Sequence, residues 1–120
     1  MSALEILVLV AEKISEFIEF NIGLDNMRVL YRAHLSKTFN TTSAISYNRD
    51  LYTLFSEVLE KGIKQGKLRA DIPVDSLSKH LILAFRGLIF EWCVRYPDFN
   101  LKEQVLDHYK ILIRLLLEIF

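Results

Sequence analysis

The chain's two prolines, Pro73 and Pro97, bracket a segment with room for one helix of about 24 residues, about 36 Å long. Pro73 suits the first turn of such a helix, where its missing N–H would be unpaired anyway, and Asp75 adds a favourable charge near that end. From Leu81 to Phe90 only Arg86 and the small Gly87 interrupt the apolar residues, so this helix is apolar around most of its circumference. A helix of that kind must be buried on more than one side, and the rest of the chain has to supply its neighbours.

Periodicity makes those neighbours helical as well. Residues 3 to 20 repeat Leu4, Leu7, Val8, Ala11, Ile14 and Ile18 at the 3.6-residue spacing of a buried stripe. After a break at Gly23, residues 24 to 38 place Met27, Leu30, Tyr31, His34 and Leu35 on one side. Residues 40 to 47 hold β-branched and short polar side chains that compete with helix, which predicts a loop or one ragged turn. A third helix from about Arg49 to Gln65 turns Leu51, Leu54, Phe55, Val58 and Leu59 inward and stops at Gly66. Within it, Gly62 costs about 1 kcal/mol relative to Ala unless a neighbour packs too closely for a side chain. Asn100 and Glu103 have capping-box spacing and start the last helix at Leu101. That helix carries one stripe of Val105, Tyr109, Leu112, Leu116 and Ile119, and a second of His108, Ile111 and Leu115. Two adjacent stripes suit a helix that touches both its own core and a partner. No repeat, phosphate-binding glycine loop or alternating strand pattern interrupts this order. The expectation is an all-α domain of five helices spanning residues 1–120.

Composition narrows the function. Fifteen Lys and Arg balance fifteen Asp and Glu, so no positive excess exists to hold a nucleic-acid backbone. The hydrophobic fraction of 52% exceeds what a small monomer's core readily hides, so some of it is expected to line a cavity or a subunit interface. Cys93 is the only cysteine, which excludes an internal disulfide and an all-cysteine zinc site and agrees with a cytoplasmic location. The apolar opening from Met1 to Ala11 contains Glu5, lacks a preceding positive residue, and is too short to span a bilayer, which takes about twenty residues. It reads as the buried start of a helix, and no membrane partner is expected.

The run from Leu59 to Asp71, with Gly62, Gly66 and Arg69, resembles the helix end and turn that precede the long dimerisation helix in the TetR family of bacterial transcriptional repressors. The stretch Leu81 to Trp92, with Arg86-Gly87-Leu88 before Glu91-Trp92, is similar to that long helix. The resemblance covers residues 49 to 119, and residues 3 to 38 by helix order alone. It implies the regulatory domain of such a repressor, with the last two long helices forming a four-helix bundle across a homodimer. It also implies a pocket for a small apolar or amphipathic effector. DNA would then be read only through an N-terminal helix-turn-helix domain, which is absent from this sequence.

Tyr31, His34, Phe39, Phe55, Phe85 and Trp92 are the candidate effector-pocket residues, as aromatic walls with a few polar tips suit small-molecule sites. Ordinary core packing is the competing reading for each aromatic, and a half-exposed surface histidine for His34. Gly87, Tyr109, Leu112, Leu116 and Ile119 are the candidate dimer-interface residues. Arg86 is a candidate for an acidic effector group or a structural contact. His34, His80 and His108 are dispersed, no Glu-x-x-His pattern occurs, and Trp92 and Val94 flank Cys93 as they would an inert buried thiol. No catalytic residue, metal ligand or cofactor is therefore expected. The competing function is a helical interaction or dimerisation module of the same shape that uses no small-molecule ligand.

Overall fold

A computed structural model describes residues 2–36 and 49–117, with the side chains of Arg49, Leu116 and Leu117 excepted. The described chain is all-helical: α1 (Ala3–Phe17) widening into a π-helical turn (Ile18–Ile22), α2 (Leu24–Ser36), α3 (Arg49–Lys64), α4 (Val74–Arg95) and α5 (Leu101–Leu112), which also widens (Ile113–Leu117). The expected loop at 40 to 47, together with Phe39 and Ile119, lies outside the described residues.

Local chemistry sets the helix ends. Ser2 Oγ accepts the backbone N–H of Glu5 at 3.2 Å at the start of α1, and Asn100 Oδ1 accepts that of Glu103 at 3.2 Å at the start of α5. Each bond satisfies one of the orphan donors of a helix N-terminus. Gly23 (φ +88°) and Gly66 (φ +70°) occupy the left-handed region at the ends of the first turn and of α3, where an L side chain would be strained. Pro73 stands as the residue before α4, one position earlier than the first turn, and α4 ends at Arg95, two residues before Pro97.

The core gathers Leu7, Ala11, Phe55, Leu59, Leu81, Phe85, Trp92, Leu101, Val105 and Tyr109 from four helices. α1 and α5 run antiparallel, because Lys102 at the start of α5 meets Glu16 near the end of α1, Nζ to Oε1 at 2.8 Å. α1 also approaches α3 so closely that a methyl group at Gly62 would lie 3.1 Å from Ala3 Cβ and 2.5 Å from Leu68 Cδ1. Neighbours that pack too closely for a side chain are thus present at Gly62, Leu68 most tightly and Ala3 of α1 next.

α2 is held differently. Met27 is its one buried residue, and side chains reach from it to carbonyls of α4: Arg28 Nε donates to Cys93 O at 2.9 Å and Tyr31 Oη donates to Arg86 O at 3.2 Å. Leu30 and Leu35, expected on its inner side, are exposed, as is Leu54 of α3. A 3.6-residue stripe is wider than the contact that α2 makes, so only its centre is covered.

Candidate interaction face

α4 is contacted by α2, α3 and α5, and these neighbours cover Leu77, Ser78, Leu81, Ile82, Phe85, Ile89, Trp92 and Cys93. The opposite side of the helix is largely uncovered by the described residues and carries Leu83, Gly87, Phe90 and Val94 at spacings of four, three and four. That spacing keeps four side chains in one line along a helix. Leu83 is 51% exposed, Phe90 39% and Val94 61%, although Tyr31 packs edge-on to the Phe90 ring at 5.4 Å. At Gly87 an added methyl group meets no atom of the described residues within 4 Å, so the centre of the line is open among them.

α5 carries exposed apolar side chains of its own. Tyr109 fastens the two helices: its hydroxyl donates to Leu81 O at 2.6 Å and its ring stands edge-on to Phe85 at 6.2 Å. Burial pushes the Tyr109 phenol well above the usual tyrosine range. With Val105 and Tyr109 turned into the core, helical spacing turns Ile111 (57% exposed) and Leu115 (61%) to the outer side of the same hairpin. The same two helices also carry His80, His108 and the ion pair between Glu91 and Arg95 (2.6 Å).

The expected interface residues are thus redistributed. Gly87 lies on the open face, Leu112 is half-buried against the core, and Tyr109 is completely buried within its own chain, where a second subunit has no access. The stripe beginning at Leu101 and Val105 had to fill the gap between α1 and α4, which leaves the second stripe, Ile111 and Leu115, outside. The side chain of Leu116 and all of Ile119 lie outside the described parts. Leu83, Phe90 and Val94 escaped the sequence reading because an apolar circumference does not reveal which arc lacks a neighbour.

Among the expected pocket residues, Phe55, Phe85 and Trp92 are core residues. Tyr31 and His34 are half-buried neighbours on α2, ring centroids 6.0 Å apart. Burial, with a smaller contribution from Cys93, pushes the Tyr31 phenol up to about 12. Two buried side-chain atoms, His34 Nδ1 and Trp92 Nε1, have no hydrogen-bond partner among the described residues. Two surface grooves lie elsewhere. One of about 520 Å³ surrounds the α4–α5 turn at Tyr96, Asp98 and Glu103, and one of about 630 Å³ runs between α1 and α5.

Cys93 is buried and its thiol is pushed up by that burial, opposite to the shift of an activated nucleophile. Among the described residues no three His, Cys, Asp or Glu side chains gather as a metal site, and no helix is long and apolar enough to cross a membrane.

No family model, curated protein or solved structure matches this chain.

Proposed function

We propose that this chain is a helical self-association module whose second copy docks on the outer face of the α4–α5 hairpin. The observation that carries the reading is the uncovered line Leu83, Gly87, Phe90 and Val94, continued on α5 by Ile111 and Leu115. A two-fold arrangement covers each of these side chains twice, once per copy. Complete burial of a Val, Leu, Ile or Phe is worth about 1.5–3 kcal/mol, so the exposed fractions of five such residues supply a substantial driving force before association entropy is subtracted. Overall neutrality removes long-range repulsion between copies.

The test is solution mass by sedimentation for the wild type and for Leu83→Asp and Ile111→Asp. A dimer that both variants convert to monomer supports the reading. A wild type that stays monomeric at high micromolar concentration refutes it.

A finer reading makes the dimer the regulatory half of a TetR-like repressor, in which an effector shifts the hairpins of a linked DNA-binding protein. Its support is the resemblance over residues 49 to 119. A specific observation adds to it: the unpartnered His34 Nδ1 and Trp92 Nε1 belong to two of the residues expected to meet an effector. A buried polar atom without a partner costs about 1–3 kcal/mol, which a ligand oxygen accepting from Trp92 Nε1 would recover. Native mass spectrometry of protein purified from cells tests this: a co-purifying small molecule lost in Trp92→Phe supports the effector, and unliganded protein that no apolar or amphipathic compound stabilises refutes it.

A further inference from the structure

The groove of about 630 Å³ between α1 and α5 has an apolar floor of Leu4, Val8, Leu9 and Ile113 and walls of opposite charge. Glu5 and Glu12 stand on the α1 side, two helical turns apart, and Lys110 and Arg114 on the α5 side, one turn apart. Because the helices are antiparallel, the end of the groove near Glu5 adjoins Arg114. None of the four charged groups makes an ion pair within 4 Å among the described residues, whereas at the other end of the same helix pair Lys102 closes onto Glu16 at 2.8 Å. The apolar floor therefore separates two walls of charge that do not neutralise each other directly.

A polyanion or a lipid surface of one sign would meet one attractive wall and one repulsive wall. An amphipathic helix meets both favourably when its apolar stripe is bordered by basic residues along one edge and acidic residues along the other. We infer that the α1–α5 groove docks such a helix from a partner protein, its stripe on Leu4, Val8 and Leu9, its basic edge toward Glu5 and Glu12, its acidic edge toward Lys110 and Arg114. The floor supplies affinity, and the walls fix the direction of the helix, since exposed charges contribute more to orientation than to strength. Different residues line this groove and the α4–α5 face, so the inference stands apart from self-association.

The probe is a fluorescent designed peptide of about 14 residues, about 21 Å as a helix, with Leu at helical spacing, Lys along one edge and Glu along the other. The reference peptide has the same composition with the stripe scrambled. Fluorescence anisotropy is expected to show the striped peptide binding about tenfold or more tighter than the scrambled one. Leu9→Glu is expected to remove that difference; Leu9 is outside the buried core, and thermal unfolding verifies that the variant folds. The double variant Lys110→Glu with Arg114→Glu makes both walls acidic and is expected to shift the preference to a striped peptide with Lys on both edges. Equal binding of striped and scrambled peptides overturns the inference, as does a preference that the double variant leaves unchanged. A dimer that the double variant dissociates also overturns it, because the occupant would then be a second copy.

Discussion

A methyl group has opposite consequences at two helical glycines. At Gly62 it would collide with the buried Leu68 side chain and crowd Ala3 Cβ, so Gly62→Ala sets a steric cost of about 1–3 kcal/mol against a helix-propensity gain of about 1 kcal/mol. The expected result is net destabilisation of up to about 2 kcal/mol in urea unfolding. At Gly87 the added methyl meets nothing among the described residues, so Gly87→Ala is expected to stabilise the monomer by about 0.5–1 kcal/mol while weakening self-association if helices cross there. Unfolding of dilute protein and sedimentation of concentrated protein read the two effects separately. Tyr109 links a residue to pH. Its phenol and that of Tyr31 have folded pKa values raised above the unfolded value of about 10, so the stability they contribute is complete below about pH 10 and is lost as pH rises through the folded values. Stability measured from pH 8 to 11.5 is expected to fall first above about pH 8.5, where the Cys93 thiol ionises in the unfolded chain, and more steeply above about pH 10; Tyr31→Phe and Tyr109→Phe are each expected to lessen the steeper fall. Tyr109→Phe also gives up the bond to Leu81 O, which costs about 0.5–1.5 kcal/mol at neutral pH.

Among the elements, α2 is the least anchored. It buries only Met27, follows the left-handed Gly23, and is tied to α4 through Arg28 and Tyr31 bonds to backbone carbonyls. Opening α2 exposes little apolar surface compared with opening α4. Amide hydrogen exchange is therefore expected to be faster across residues 24–36 than across 77–93, and faster still after Arg28→Ala. The same element shows where sequence reasoning stops. Gly66, Pro97 and the Asn100 cap announce helix ends through local backbone chemistry, and the structure places helix boundaries within two residues of each. Leu30 and Leu35 have the spacing of buried residues yet are exposed, because spacing defines a stripe without saying how wide a neighbour covers it. The last helix carries the same ambiguity in sharper form. Both of its stripes were legible, but the one containing Tyr109 faces the core and the one containing Ile111 faces outward, a choice made by the positions of α1 and α4. The candidate pocket was hidden for a related reason: Phe55, Phe85 and Trp92 look alike in sequence whether they line a cavity or fill it.

At the scale of the whole molecule, the five helices of the described residues leave one apolar arc of the longest helix without a neighbour among them, and the central claim is that a second copy supplies it. The claim joins the excess hydrophobic composition, the exposed Leu83-Gly87-Phe90-Val94 line and the outward stripe of α5 in one cause. It is tested most directly by the mass of the chain in sedimentation equilibrium across a hundredfold range of concentration, for the wild type and for Leu83→Asp with Ile111→Asp. A wild type that converges on twice the chain mass of 14.0 kDa, with the double variant remaining at one chain mass and melting as a folded helical protein, is the predicted result. A monomeric wild type across the range, or a dimer that the double variant leaves intact, would contradict it.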